Sequence, residues 1–201
     1  MKQNKLIKVV LLLVFVVIII LVVNIVKGIN KKKSISNSKI DIIEKYNYSL
    51  KENESVYYKK LFNDLKNELN KKEINYAEYA SIISRMFLTD FYTLDNKINK
   101  NDIGGVEFIY SDYQDIFIKK AKDTIYKYLE NNINRKQKLP IVNEVKITNI
   151  EIKNYGVNNL NFDNAYYLTC QIIYEKDLGY PINVNLILVE NNNKLEIISM
   201  E

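Results

Sequence analysis

The sequence contains no histidine and no tryptophan, and its 201 residues include one cysteine, two prolines and five glycines. Without imidazole, the commonest metal ligand and the usual general base near neutral pH are missing. The single thiol, Cys170, forms no internal disulfide and no thiolate metal cluster, and a small buried side chain in a strand is its ordinary role. The absence of tryptophan removes the strongest cation-binding ring. Gly104-Gly105 lacks the further glycines and the lysine of a phosphate-cradling loop, so it reads as a turn. The length fits one ordinary core, with or without an appended segment.

Basic residues number 29 and acidic residues 24, a net charge of +5 with a pI near 9.0. Spread evenly, that balance would suit a nucleic-acid binder. It is not even: residues 1–33 hold Lys2, Lys5, Lys8, Lys27, Lys31, Lys32 and Lys33 with no acid, which is +7, and the remainder holds 22 basic and 24 acidic residues, which is −2. Only Arg85 and Arg135 offer a planar fork for bidentate contact with phosphate or guanine. No nucleic-acid partner is expected.

Between Lys8 and Lys27 lie the eighteen residues Val9 to Val26, with Asn24 the one polar member. As a helix this run is roughly 27 Å long, close to the hydrocarbon thickness of a bilayer. It exceeds the apolar core of a signal peptide and carries no small-x-small exit, so the expectation is an uncleaved transmembrane helix. Residues 1–8 are then a short cytoplasmic end, and 27–53 a juxtamembrane tether with a short helical patch at Ile40, Ile42, Ile43 and Tyr46. Lysines on the two flanks nearly match, so the positive-inside rule leaves orientation open. Lys27, Lys31, Lys32 and Lys33 suit anionic lipid headgroups on whichever side they face.

Residues 54–201 read as one globular domain. Tyr58, Leu61, Phe62, Leu65 and Leu69 recur at helical steps within Glu54 to Lys71. A second helix starts at Asn75, whose side chain caps it while Glu78 supplies the reciprocal acid, and buries Tyr79, Ile82, Ile83, Met86 and Phe87, giving an antiparallel helical hairpin. Val106 to Tyr110 reads as a short extended segment after the glycine turn. A third helix over about Asp112 to Asn131 follows from Ile116, Phe117, Ala121, Ile125, Tyr128 and Leu129, with Lys119, Lys120 and Lys122 as its solvated side. Beyond Pro140 the period becomes two: Val145, Ile147 and Ile152 point one way, and Tyr166–Glu175, Ile182–Glu190 and Lys194–Met200 are further strands. Asn191-Asn192-Asn193 suits a tight hairpin because Asn tolerates positive φ. The fold class is α+β, with three helices packed on a curved, mainly antiparallel four-stranded sheet.

Two helices, a short extended segment, a long third helix and an antiparallel sheet resemble the NTF2-like cone. With one short end and one span ahead of it, the layout resembles the VirB8/TcpC-like group of bitopic assembly factors of bacterial conjugation and type IV secretion. The run Phe87-Leu88-Thr89-Asp90-Phe91-Tyr92-Thr93-Leu94-Asp95-Asn96-Lys97, with Asp102-Ile103-Gly104-Gly105 and Asp123-Thr124-Ile125-Tyr126-Lys127-Tyr128, is similar to uncharacterised membrane-anchored proteins of low-GC Gram-positive bacteria. The resemblance implies a domain exported to the outer side of the plasma membrane and engaged with protein partners.

The loop between Asp90 and Asp102 is rich in Asp and Asn. A calcium loop starting at Asp95 would place Lys97 at its third and Lys100 at its sixth position, which fails the pattern, so no metal is expected. Asp90, Phe91 and Tyr92, with Tyr110 and Asp112, are the candidates for the mouth of the cone. In enzymes of that fold an Asp base and a Tyr donor move protons beside a carbonyl; the same residues otherwise serve packing or partner contact. The expectation is a non-enzymatic, membrane-anchored interaction scaffold without a cofactor, with Phe87, Asp90, Phe91, Tyr92 and Tyr110 as its contact surface. Its rivals are a small-ligand-binding or enzymatic cone and an adaptor of envelope synthesis.

Overall fold

The computed structural model describes residues 37–201. The expected cytoplasmic end 1–8, the span Val9–Val26 and the lysines Lys27, Lys31, Lys32 and Lys33 lie outside the described residues. Among the described residues no helix is long and apolar enough to cross a membrane.

Hairpin β1 (Lys39–Ile43) and β2 (Tyr48–Lys51) opens the body, joined by a 3-10 turn at Glu44–Tyr46. Helices α1 (Val56–Leu69) and α2 (Tyr76–Tyr92) follow, then 3-10 turns at Val106–Phe108 and Ser111–Tyr113 and helix α3 (Gln114–Asp123). Strands β3 (Val142–Val157), β4 (Leu160–Tyr174), β5 (Asn183–Asn191) and β6 (Lys194–Met200) form a sheet in the order β3-β4-β5-β6, antiparallel throughout. The α+β class, the three helices and the four-stranded curved antiparallel sheet are as the periodicity predicts. Helix α2 lies at the centre, packed on α1 and across β3 and β4.

The stretch 37–53 corrects the expectation of a tether with a helical patch. Tyr46, Tyr48 and Leu50 are buried in the main core, whereas Ile40 and Ile42 of the expected patch are exposed. Period two brings those three side chains inward, and the Tyr48 hydroxyl finds the Tyr79 hydroxyl of α2 at 2.6 Å. A hydroxyl paired inside the core favours the strand over any solvated alternative.

Capping also differs from expectation in one partner. Asn75 Oδ1 accepts from Ala77 and Glu78 N–H, as the sequence implies. The Asn75 N–H, however, donates to Glu68 of α1 at 2.8 Å, while Glu78 turns to Arg85. The box is thus closed across the helical hairpin, fixing the angle between α1 and α2. Helix α3 stops at Asp123, well before the expected Asn131. Tyr126 is fully buried, and drawing it inward diverts the chain: its N–H reaches back to Ala121 O instead of continuing the helical ladder. Val106–Phe108 is a 3-10 turn, not an extended segment; only Ile109 bridges β6, with Tyr110 N–H on Ile197 O at 2.9 Å.

Strands β3 and β4 are longer than expected because Asn158 and Asn159, with φ of 47° and 67°, make a two-residue turn. Asn192 and Asn193 repeat it with 52° and 64°, the left-handed pair that matches strand twist. Register shifts at Ile147/Asn149 and Lys153/Tyr155 change the phase of β3. Val145, Ile147, Ile150 and Ile152 therefore all lie on the face of Ile172, Cys170, Leu168 and Tyr166. The expected Val145, Ile147, Ile152 face holds and gains Ile150, which packs on the core, while Ile152 stays exposed. A second small core, Tyr110, Ala165, Val189 and Ile198, forms from the alternate residues of β4, β5 and β6.

Loss of the Glu68 carboxylate in Glu68→Ala is expected to cost about 1–2 kcal/mol of unfolding free energy. Lys71→Ala, which removes only the half-exposed partner of Glu68, is expected to cost under about 1 kcal/mol. Urea denaturation separates the two; equal losses would show that Glu68 acts only through Lys71.

Candidate functional site

The last turns of α2 carry Asp90 inward, where the turn Gly104-Gly105 closes over it. Asp90 Oδ2 accepts the Gly105 N–H at 2.7 Å, and Oδ1 pairs with the ammonium of Lys97. Both side chains of that pair are almost completely buried. Glycine is required in the turn: a Cβ at Gly104 would stand 2.2 Å from Asp90 O, and Gly105 has φ +75° against the Phe87 ring. Beside the turn, Tyr126 donates its hydroxyl to Phe91 O at 2.7 Å and accepts the Gly104 N–H at 3.1 Å.

Two more carboxylates, of the buried Glu54 and the half-buried Glu107, come from elsewhere in the chain. Glu54, between β2 and α1, is buried and accepts from Asn96 Nδ2 at 3.3 Å. Glu107 accepts from Ser49 N–H and Oγ, each at 3.1 Å, and from the Tyr58 hydroxyl at 3.4 Å. Burial, and then the charge of Asp90, pushes Glu54 up to about 7, against the pull of Lys97 and Lys51. Burial and Asp90 also raise Glu107. Burial opposes the Asp90 charge too, but Lys97, Lys51 and the Gly105 N–H outweigh it and hold its carboxyl below the ordinary value. The cluster links the hairpin, α2 and the loop after it.

Loop 95–102 divides its polar groups between itself and the segments around it. Asp102 accepts from Ile98 N–H and Asn37 Nδ2, both at 2.8 Å, and Asn99 accepts from Asn101 N–H. Among the described residues no group of three or more His, Cys, Asp or Glu is arranged to hold a metal. Cys170 is buried in β4 and burial pushes its thiol up to about 12.

Of the sequence-predicted contact residues, the structure brings Phe87, Asp90, Phe91 and Tyr92 together and places Tyr110 apart. Phe87 and Phe91 stack at 5.6 Å, and Phe91 meets Tyr92 edge-on at 4.9 Å. Tyr110 belongs to the second core, edge-on to Tyr113 and Phe162. All five are buried, so they form no exposed contact surface as placed; Phe91 reaches the wall of one. Asp112 is exposed in the turn before α3.

That surface is a pair of adjoining grooves which share Thr124 and Ile125. One, of about 220 Å³, runs between α3 and β6 and is lined by Phe91, Ile109, Ile116, Phe117, Ile198 and Met200. The other, of about 420 Å³, lies between Tyr128, Gln137 and Leu139 on one side and the turn Leu178–Pro181 on the other. Sequence periodicity misses both, because it assigns Ile116, Ile125 and Tyr128 to the buried face of a longer helix. It also misses Glu54, Lys97 and Glu107 as a cluster, since no spacing in the chain reports that these charges converge.

No family model, no curated protein and no solved structure matches this chain.

A carboxyl raised in the folded state binds its proton there and not in the unfolded chain. The Glu54 contribution is therefore complete below about pH 4.5 and is lost as pH rises through about 7. Asp90, lowered from 3.8, acts oppositely and loses its contribution in strong acid. The urea midpoint should therefore peak in weak acid and fall from about pH 5 to about 8. Glu54→Gln should be the more stable protein at the alkaline end, with only the shallower slope left by Glu107; an unchanged slope would remove Glu54 from the cluster. Lys97→Met, which strands Asp90, is expected to cost about 3–5 kcal/mol, read from the same denaturation curves.

Proposed function

We propose that this chain is a membrane-anchored, non-enzymatic interaction scaffold of the bacterial cell envelope, a component of a conjugation or secretion complex with an NTF2-like body. The run Val9–Val26 supports the anchor, and the resemblance to bitopic assembly factors supports a protein-binding body on the outer side of the plasma membrane. Three helices on a curved antiparallel sheet suit a general NTF2-like description, and the resemblance to the VirB8/TcpC-like group is carried by the order of elements read in the sequence.

One observation carries the reading: the open apolar groove between α3 and β6, with Ile116 and Met200 exposed at its rim. Apolar side chains left in contact with water at a concave site are what a protein segment covers. The groove's volume, about 220 Å³, is below the roughly 300–1,000 Å³ of ordinary small-molecule sites. A ligand-binding or enzymatic cone gains less support, because Asp90 is sealed against Lys97 and Gly105 and Asp112 faces water.

The test combines fractionation with photo-crosslinking from a benzophenone side chain placed at Ser199, on the groove. The full chain should sediment with membranes and give a discrete protein adduct. Ile116→Glu and Met200→Glu should each lower the adduct yield at least about tenfold, as about 1.4 kcal/mol of lost binding requires, with an unchanged melting temperature. A soluble chain, or an adduct indifferent to both changes, counts against the scaffold.

A further inference from the structure

The slightly acidic body is strongly polarised. From Ile116 to Lys138 there are seven basic residues, Lys119, Lys120, Lys122, Lys127, Arg135, Lys136 and Lys138, against Asp123 and Glu130, a net +5. The rest of residues 34–201 then holds 15 basic and 22 acidic residues, a net −7. Arg135 is committed internally, donating to Lys97 O and Asp95 O. None of the six lysines forms an ion pair among the described residues, and all but the half-buried Lys122 are exposed.

Large apolar side chains stand among them. Tyr128 is 75% and Ile133 70% exposed, and Leu178 faces Tyr128 across the second groove. The loop that presents them is held in shape: Gln137 donates to Tyr128 O at 3.2 Å and accepts from Glu130 N–H at 3.3 Å. Helix polarity accounts for Lys120 and Lys122 in the last turn of α3, but not for Lys127, Lys136 and Lys138 beyond it or for the exposed Tyr and Ile.

We infer that the surface of Lys119, Lys120, Lys127, Tyr128, Ile133, Lys136 and Lys138 rests on an anionic lipid surface, the lysines on headgroups and Tyr128 and Ile133 at the headgroup–acyl boundary. Protein interfaces are depleted in lysine and enriched in arginine, and the one arginine here is turned inward. Lysines around a tyrosine and an aliphatic tip are the composition of membrane-surface contacts. The −7 remainder is repelled by the same lipids, so the charge separation orients the body as well as attracting it. The inference rests on the membrane-anchored reading, under which residues 27–36 give the body a reach of about 35 Å at most.

Because the chain has no tryptophan, Tyr128→Trp introduces a single reporter at an exposed position. The full-length variant is placed in nanodiscs of phosphatidylcholine alone and of phosphatidylcholine with one quarter phosphatidylglycerol. Emission should shift to the blue and be quenched by brominated acyl chains only in the anionic discs, and less so at high salt. Each of Lys119→Glu, Lys127→Glu and Lys136→Glu should weaken the lipid-bound fraction at least about fivefold. An unshifted emission, or the same shift in both lipids, overturns the contact. So does a benzophenone at Ile133 that yields a discrete protein adduct in place of lipid adducts. Failure to enter either disc counts against the anchor instead; anionic vesicles added to the free chain then decide the lipid contact by the same emission.

Discussion

The pairing of Asp90 with Lys97 beneath Gly104-Gly105 is the constraint on which the rest of the body depends. Two ions withdrawn from water each cost several kcal/mol unless geometry and hydrogen bonds return it. Here the return comes from four separate segments. Helix α2 supplies the carboxylate and the following loop the ammonium. The glycine turn supplies a backbone N–H, and Glu54 and Lys51 add charge from the edge of the hairpin. Formation of the pair is thereby coupled to correct placement of each segment, as a hydrophobic contact between the same elements would not require. Glycine at 104 follows from this, because the turn lies so near α2 that a Cβ would overlap Asp90 O.

The same cluster explains why the hairpin belongs to the body. Ser49 bonds Glu107, Tyr48 meets Tyr79, and Asn53 Nδ2 donates to Asn96 O. Tyr79 also accepts the Leu195 N–H of β6 at 3.2 Å, so a hydroxyl chain runs from hairpin through α2 to the sheet edge. Burying tyrosine at such a junction contributes ring area and satisfies backbone groups with its polar end. With sixteen tyrosines and seven phenylalanines, the chain uses this device repeatedly, and Tyr126 is the clearest instance.

What was legible in the sequence was what periodicity reports. The helical steps of Tyr58, Leu61, Phe62 and Leu65 give α1, Asn75 marks the start of α2, and the Asn192-Asn193 turn joins β5 to β6. The equivalent Asn158-Asn159 carried the same signal and would have extended β3 and β4. The register shift in β3 was not legible as a bulge: the irregularity between Ile147 and Asn149 brings Ile150 and Ile152 onto the face of Val145 and Ile147, where unbroken alternation would put Asn149 and Glu151. Neither was the end of α3, because a pattern of apolar residues continues through Tyr126 and Tyr128 although one is buried and the other exposed. For the site, Asp90 and the glycine turn were visible as residues. Their convergence with Glu54, Lys97 and Glu107 was not, since long-range closure leaves no local spacing.

The buried cluster and the basic face are mechanically one object. Tyr126 spans from Gly104 and Phe91 in the interior to the chain between Lys122 and Lys127. Arg135 spans from Lys97 O and Asp95 O to the loop between Tyr128 and Lys136. The loop that carries Ile133 is thus pinned on one side to α2 and the glycine turn and on the other to the segment that carries the buried ammonium. A change in the protonation of Glu54 acts first on Asp90 and Lys97, and Arg135 holds the carbonyl of that lysine and the carbonyl of Asp95. Rigidity at the charged core therefore sets the geometry in which lysines and apolar tips are displayed. The surface is positioned by the interior, through the hydroxyl of Tyr126 and the guanidinium of Arg135.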